Sequence, residues 1–276
     1  MKATPGIWIR VGIYAALLAA TAIGLMPLLW LIAAVSKNSE DFFHYLFFPP
    51  VDRMTLHNFV QLFREQPFAR YLANSLFLTG AQVLLQVFFA SLGGFALAKY
   101  DFKGKRAITL AMLGLMTIPG QVMLAPTYEL IYKMGLIDTY AGLIVPGMVS
   151  VFGMFLFRQA IGAVPDELLD AGRIDGASEF GLYWSITLPV IRPMIGAFCL
   201  IAFMGQWNSY IWPQLIFQSQ QHFTLPIAIS QMQGLYRTEY GLIMAGTLLS
   251  IVPVTALFLL LQKEFISGLT SGAVKG

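Results

Sequence analysis

Long stretches without charged residues constrain the fold of this chain more than any other feature. They run over 11–36, 71–98, 107–128, 139–157, 193–236 and 240–262. A helix needs about 20 apolar residues to cross the hydrocarbon core of a bilayer, and five of these stretches fit one helix each. The stretch 193–236 is longer, but its part at 218–222 is too polar for hydrocarbon, so it predicts one helix over roughly 194–217 and then a loop. The sequence predicts an all-α, polytopic membrane protein with six transmembrane helices.

The composition agrees with a membrane location. The 276 residues are 57% hydrophobic and only 11% charged, whereas about 25% of the residues of an average soluble domain are charged. No linker divides the sequence, so one transmembrane domain over 1–276 is predicted. The first stretch exceeds the apolar region of a signal peptide, which is about 7–15 residues long, so a retained anchor is expected.

The distribution of lysine and arginine predicts the orientation. Cytoplasmic segments of membrane proteins are enriched in these residues. If the N-terminus is cytoplasmic, the inside segments hold more of them, and the short segment 99–106 alone carries Lys99, Lys103, Lys105 and Arg106. Both termini are therefore predicted to be cytoplasmic, with the longest cytoplasmic loop at about 158–192.

Several functions are disfavoured by what the sequence lacks. The single cysteine forms no disulfide framework, and the histidines do not stand at metal-ligand spacing. The basic residues do not cluster as a nucleic-acid-binding surface requires. No phosphate-binding G-x-x-x-x-G-K-[ST] loop, H-E-x-x-H motif or G-x-S-x-G elbow is present. We therefore expect no enzyme activity, metal or cofactor on this chain.

The 158–192 loop predicts a helix–turn–helix element. Pro165 suits the first turn of a helix, and Asp166 and Glu167 favour its positive N-terminal end. Gly176 breaks that helix, and Ser178 can cap a second one. The first helix places Leu168, Ala171 and Ile174 at helical spacing, and the second has an aromatic face and is expected to end at a proline: Phe180, Tyr183, Trp184 and Pro189.

The residues of this element favour contact with another protein. Four small residues would let a second surface approach the backbone: Ala171, Gly172, Gly176 and Ala177. The acidic side chains of Asp170, Asp175 and Glu179 would supply charge contacts. The alternative is a loop lying on lipid, but lipid-surface helices are usually rich in lysine and arginine, and here the acidic residues outnumber Arg173.

The same segment resembles the EAA motif of ABC importer permeases, E-A-A-x3-G-x9-I-x-L-P. The motif positions hold Asp170, Ala171, Gly172, Gly176, Ile186, Leu188 and Pro189, at matching spacing throughout. The chain departs from the pattern at Asp170 and Gly172. Further similarity to the carbohydrate-uptake, MalG-type branch lies in 174–178, in Trp207-Asn208, in Asn74-Ser75 and in 268–276.

The resemblance implies a MetI-like permease fold in the bacterial inner membrane and a heteromeric sugar or oligosaccharide importer. A MalF-type permease, two ATPase subunits that bind ATP and Mg, and an extracytoplasmic solute-binding protein would be its partners. The loop at about 160–192 would couple to the ATPase, and the tail at about 263–276 would also reach it. The coupling residues implied are Glu167, Asp170, Ala171, Gly172, Asp175, Gly176, Ala177, Ser178, Ile186, Leu188 and Pro189.

Polar and aromatic residues within the predicted spans are candidates for the translocation path, because sugars need amide hydrogen bonds and an aromatic face. These candidates are Gln82, Gln86, Gln206, Trp207, Asn208 and Tyr210. Hydrogen bonds between helices and an interfacial aromatic belt are the alternative explanation. Recurring glycines predict close helix packing, and prolines in or near the spans predict bent helices.

A secondary transporter is the alternative function. Such carriers often keep ionisable residues in the middle of the membrane for ion coupling. The centre of each predicted span lacks Asp, Glu, Lys, Arg and His. That absence favours an importer driven by separate ATPases.

Overall fold

The fold is all-α, as predicted. The computed structural model describes residues 6–233 and 239–271. Their helices are α1 (Ile7–Val35), α2 (His57–Glu65), α3 (Phe68–Lys99), α4 (Lys105–Met116), α5 (Leu124–Lys133), α6 (Tyr140–Gly147), α7 (Val151–Gly162), α8 (Asp166–Ile174), α9 (Glu179–Val190), α10 (Arg192–Trp207), α11 (Ile211–Ile216), α12 (Leu225–Gln231) and α13 (Tyr240–Ser271).

Three helices are long and apolar enough to cross a bilayer by themselves, namely α1, α3 and α13. Three further spans result if each of three bent helix pairs counts as one. These pairs bend by 97° between α4 and the 120–133 segment, by 44° between α6 and α7, and by 80° between α9 and α10. With the pairs included, the count of six agrees with the sequence.

Each of the spans predicted over 107–128, 139–157 and 194–217 is interrupted and is not one continuous helix. The first ends at Met116, where Pro119 precedes a 3₁₀ turn. The second restarts at Val151, where the Ser150 side chain accepts a hydrogen bond from the Gly153 amide at 3.0 Å and so caps α7. The third ends at Trp207 before α11. Proline contributes at Pro119 because it cannot donate a backbone hydrogen bond.

The described residues divide into two compact units, one formed by 6–68, 229–233 and 239–251 and the other by 69–228 and 252–271. In the first unit, buried Asn58 donates hydrogen bonds to the backbone oxygens of Val35 at 2.7 Å and Lys37 at 2.8 Å. The Phe42 and Tyr240 rings stack with their centroids 5.0 Å apart. These contacts hold α2 and the start of α13 against the end of α1.

The second unit has two apolar cores. One packs around Phe157, Ile161, Leu182 and Phe198, and the other around Leu78, Leu143, Ile216 and Ile227. The first core joins α3, α7 and α10 to the α8–α9 pair. The pair is therefore anchored in the core of the unit.

Glycines allow the close packing that the sequence predicts. A Cβ on Gly94 would lie 2.8 Å from the Cβ of Phe157 and 2.9 Å from the backbone nitrogen of Arg158. A Cβ on Gly153 would lie 2.6 Å from the Phe198 ring. Since real Cβ atoms do not approach other atoms so closely, α3 and α7 can lie this close at residue 94 because it has no side chain.

Candidate functional site: the α8–α9 pair and a polar cavity

The turn between α8 and α9 has the structure that the sequence predicts. Gly176 has a φ of 81°, a left-handed conformation that favours glycine. The Gly176 amide donates to the Arg173 oxygen at 3.0 Å, and the Ala177 amide donates to the Gly172 oxygen at 2.9 Å. These two bonds form a Schellman motif. The Ser178 side chain then caps α9 by accepting from the Gly181 amide at 3.1 Å.

The small residues of the pair divide into two groups. Gly172 is buried, and a Cβ there would lie 2.6 Å from Leu182 and 2.7 Å from Ile186. The expectation that Gly172 lies open to a second protein is therefore wrong, because its small size lets α8 pack on α9. Ala171, Gly176 and Ala177 are exposed, so only these three remain candidates for the approach surface that the sequence predicts.

The pair carries an apolar surface that nothing in its own unit covers among the described residues. Ile174 is 86% exposed, and Leu168 and Ala171, on the same face of α8, are exposed as well. On α9, the Phe180 and Trp184 rings stack 6.2 Å apart and are also exposed. Leu169 and Leu182 face the core instead. The apolar residues at helical spacing in α8 thus form an exposed face and do not pack in the core.

Ion pairs fasten the pair to the end of α3. The Lys99 Nζ donates to the Asp166 carboxylate at 2.6 Å and to the Val164 oxygen at 2.5 Å. The Tyr100 hydroxyl donates to Glu179, whose carboxylate also accepts from Arg173 at 3.0 Å. The sequence did not predict that Lys99 holds the α8–α9 pair, because there Lys99 indicated only the orientation of the chain in the membrane.

The carboxylates of this network are held in their charged form. The Lys99 ammonium lowers the pKa of Asp166, and Arg173 followed by Tyr100 lowers the pKa of Glu179. Arg173 also bonds Asp170 at 2.8 Å. Two of the three acidic residues expected to meet a partner, Asp170 and Glu179, are therefore paired within the chain.

The last residues of the motif that resembles the EAA motif lie within α9. Ile186 and Leu188 are half-buried and pack against the first core. Pro189 lies within α9, which extends to Val190, so the expectation that the helix ends at the proline is off by one residue. A π-helical stretch, Leu182–Thr187, precedes it.

The glutamines of α3 connect helices. Gln86 is buried, and its Nε2 donates to the Gly147 oxygen at 2.7 Å. Gln82 is buried one turn away, and a Cβ on Gly147 would lie 1.7 Å from its Nε2. Hydrogen bonding between helices, the alternative explanation, is thus present for Gln86.

A cavity of about 240 Å³ brings two of the path candidates together. Gln82 and Gln206 line it with Ser209 and Trp212, beside residues of the 120–127 segment and α6. The Trp212 Nε1 is buried, with no hydrogen-bond partner in the described part of the chain. The sequence did not indicate Ser209, which reaches the cavity wall because the chain is broken after α10.

The remaining path candidates lie at the end of α10. Trp207 is buried and stacks on Phe203 with ring centroids 5.3 Å apart. Asn208 is exposed, and its side chain donates to the Met204 oxygen at 2.9 Å. Tyr210 is exposed. Trp207 lines a second, much smaller cavity together with Gln82 and Gln206, whereas Asn208 and Tyr210 line neither of these two cavities.

A second polar cluster holds the 218–225 segment at the other end of α3. The Asn74 side chain donates to the backbone oxygens of Gln221 at 2.8 Å and Phe223 at 3.0 Å. The Asp138 carboxylate accepts from the Ser219 amide at 3.0 Å and contacts His222 at 3.0 Å. Burial alone would raise the pKa of Asp138, but the bonds from Ser219 and His222 outweigh it and lower that pKa.

The all-helical fold and the membrane spans are those of a transport permease. The chain belongs to the family of binding-protein-dependent transport system inner membrane components, which it matches over residues 90–267. It is 36% identical over 258 residues to the arabinooligosaccharides transport system permease protein AraQ of Halalkalibacterium halodurans, with 92% of each chain covered. It is 27% identical to the lactose transport system permease protein LacG of Rhizobium radiobacter, with 95% of each covered.

A solved structure has the same fold. A chain from a bacterial ABC transporter involved in the import of the acidic polysaccharide alginate superimposes with a TM-score of 0.84 at 20% identity. The match covers 95% of the present chain and all of the other. The permease family and the fold class predicted from the sequence are confirmed.

Proposed function

We propose that this chain is one permease subunit of an ATP-driven importer of sugars or oligosaccharides. The α8–α9 pair receives a separate ATPase subunit, and the chain forms half of the translocation pathway. The observation that carries the proposal is the exposed apolar face of α8, which lies within the segment that resembles the coupling loop of such permeases. An apolar face of this kind is typical of a protein-binding surface.

The substrate class is supported by the names of the relatives. They include permeases for arabinooligosaccharides, for lactose, and for melibiose, raffinose and stachyose. The cavity lined by Gln82, Gln206 and Ser209 offers amide and hydroxyl groups beside the Trp212 ring. Such a lining suits hydrogen bonding to sugar hydroxyls in passage.

The partners follow from the same proposal. A MalF-type permease completes the pathway, a pair of ATPase subunits binds ATP and Mg, and an extracytoplasmic binding protein delivers the sugar. Both termini and the α8–α9 pair face the cytoplasm. The tail at 263–276 also contacts the ATPase in this proposal. Part of this tail, 272–276, lies outside the described residues. A secondary transporter is less well supported, because ion coupling would not need an exposed apolar face on α8.

The proposal is tested by adding a charge to the exposed face of α8. Burying one isoleucine side chain is worth about 1.5–3 kcal/mol, so Ile174→Glu is expected to weaken ATPase binding by roughly tenfold to a hundredfold. The measurement is capture of the ATPase by detergent-solubilised permease complex, beside uptake of radiolabelled sugar. Gly162→Glu is the control, because a Cβ at that exposed site contacts nothing within 4 Å. Full ATPase capture and uptake by Ile174→Glu would exclude this docking face.

A further inference from the structure

We propose that α3 is a rigid link that carries the displacement of the α8–α9 pair to the 218–225 segment. Lys99 and Tyr100 fix one end of the link, and Asn74 and Ser75 fix the other. The inference rests on the proposed function, since it assumes that the ATPase moves the α8–α9 pair. It assigns to these four residues a positioning role that the coupling motif does not contain.

The helix α3 is continuous between the two attachments. It runs over 32 residues without a proline, which corresponds to a length of about 48 Å. The chain that leaves α9 towards the 218–225 segment follows another course, because it bends by 80° before α10 and is interrupted again after Trp207. An unbroken helix keeps the distance between its ends, whereas a bend can absorb displacement.

At the Lys99 end of α3, the α8–α9 pair is attached by buried and charged contacts. The Lys99 side chain is only 6% exposed, and it bonds both the segment before α8 and the first residue of α8, Asp166. Tyr100 reaches the first residue of α9, Glu179. Further along α3, the Ser91 and Tyr183 hydroxyls lie 2.8 Å apart in the interior. The pair is thus held at both of its helix starts and once in the core.

At the opposite end of α3, the 218–225 segment is attached by buried hydrogen bonds. Asn74 is buried, and its side chain bonds both the 218–225 segment and α6. Its amide group donates to the backbone oxygens of Gln221 and Phe223, and its oxygen accepts from the Tyr140 hydroxyl at 2.8 Å. Buried Ser75 accepts from the Leu225 amide at 2.7 Å. In the bonds from Asn74 and Ser75, the partner on the 218–225 segment is a backbone atom. The backbone of the segment is therefore expected to move with α3, independently of the rotamers of exposed side chains.

The two attachments lie on one helix and within one compact unit. A movement that the ATPase imposes on the α8–α9 pair therefore reaches the 218–225 segment through α3 before it passes the bends of α9–α10. Under the proposed orientation this segment faces outwards, on the side where a binding protein arrives. The link also acts in reverse, so that an event at the 218–225 segment biases the α8–α9 pair.

The test removes the attachment and keeps the docking face. Lys99→Met and Tyr100→Phe, alone and together, are expected to leave ATPase capture and basal ATP hydrolysis near wild type. Stimulation of hydrolysis by sugar-loaded binding protein, and sugar moved per ATP, are expected to fall at least fivefold in the double variant. Lys99→Arg should restore most of the loss, since it keeps a cation that can reach Asp166. Lys103→Met is the matched control, because Lys103 is an exposed lysine near Lys99 in the sequence that forms no ion pair within the part of the chain that the structure describes.

A distance measurement tests the link directly. Spin labels are placed at the exposed residues Ser185 and Gln218 after Cys199→Ala. The distance between them should stay constant between the nucleotide-free and ATP-trapped complexes, and it should change or broaden in the Lys99→Met, Tyr100→Phe variant. An unchanged distance in that variant, or full binding-protein stimulation, would overturn the link.

The outcomes separate this inference from the proposed function. If Ile174→Glu leaves ATPase capture intact, the docking face is wrong. If Ile174→Glu abolishes capture while the Lys99 and Tyr100 variants couple normally, only the link is wrong. If Lys99→Met fails to assemble, Tyr100→Phe carries the test, because it removes one hydroxyl and keeps the ring that packs on Phe95.

Discussion

The turn glycine of the α8–α9 pair can be used to separate backbone strain from contact with a partner. Gly176 has a φ of 81°, and a Cβ added there would meet nothing within 4 Å. Inside the chain, a side chain at 176 therefore costs only the left-handed conformation, roughly 1–2 kcal/mol for a residue with a Cβ. Asparagine visits that conformation more readily, so Gly176→Asn should cost less than Gly176→Ala.

Gly176→Trp has the same strain as Gly176→Ala, but its indole projects into space that a bound ATPase would occupy. We expect capture of the ATPase to fall by at most about thirtyfold in Gly176→Ala, which corresponds to roughly 2 kcal/mol, the upper end of that strain. Gly176→Asn should stay near wild type, and Gly176→Trp should fall at least tenfold below Gly176→Ala. The assay is ATPase capture by solubilised permease over a concentration series, with insertion into the membrane measured in parallel.

The outcomes distinguish the two explanations. Equal losses in Gly176→Ala and Gly176→Trp would show that strain alone matters and that no partner approaches the turn. Equal retention by Gly176→Asn and Gly176→Trp would refute docking at this turn altogether. Gly162→Ala is the control for glycine replacement, because its Cβ also has open space and its backbone is helical.

Two further predictions concern packing and the 218–225 segment. Gly94→Ala should lower the stability of the solubilised protein by about 1–3 kcal/mol through overpacking against α7, which would be measured as a lower melting temperature. Gly80→Ala on the same helix should be neutral or stabilising, because its Cβ meets nothing within 4 Å. Equal melting temperatures of the two variants would contradict the close α3–α7 contact. The lowered pKa of Asp138 means that its stabilisation is complete above the ordinary carboxyl pKa and is lost only as pH falls through the lower folded value. Asp138→Asn should therefore increase hydrogen exchange at 218–222 at pH 7, and wild-type protection that already disappears between pH 7 and 5 would contradict this assignment.

Local sequence rules predicted the α8–α9 pair well. Its turn needs a residue that tolerates positive φ, and its second helix needs a side-chain cap, so Gly176 and Ser178 are visible in the sequence without any knowledge of the rest of the chain. The number of membrane spans is similarly local, since it follows from the length of the apolar stretches. Both features depend on neighbours a few residues apart.

The breaks within the spans could not be placed in the same way. Pro119 lies at the break after α4, yet Pro27 and Pro253 lie inside the continuous helices α1 and α13. A proline removes one backbone hydrogen bond, but whether the helix then stops depends on what packs beside it. In a membrane protein the freed carbonyl can find another partner, so proline alone does not decide where a span bends.

The pairing of charges was the other feature that the sequence did not reveal. Lys99 and Asp166 are 67 positions apart, and no spacing rule connects them. The same pairings change which carboxylates are available to a partner. Asp170 and Glu179 already bond Arg173, whereas Glu167 and Asp175 are exposed and have no ion pair in the part of the chain that the structure describes. A cationic side chain of the ATPase would have to compete with Arg173 for Asp170, but it would meet no such competition at Glu167 or Asp175, on either side of the apolar face that ends at Ile174. Charge contacts with the ATPase should therefore depend more on Glu167 and Asp175 than on the acidic residue that opens the motif.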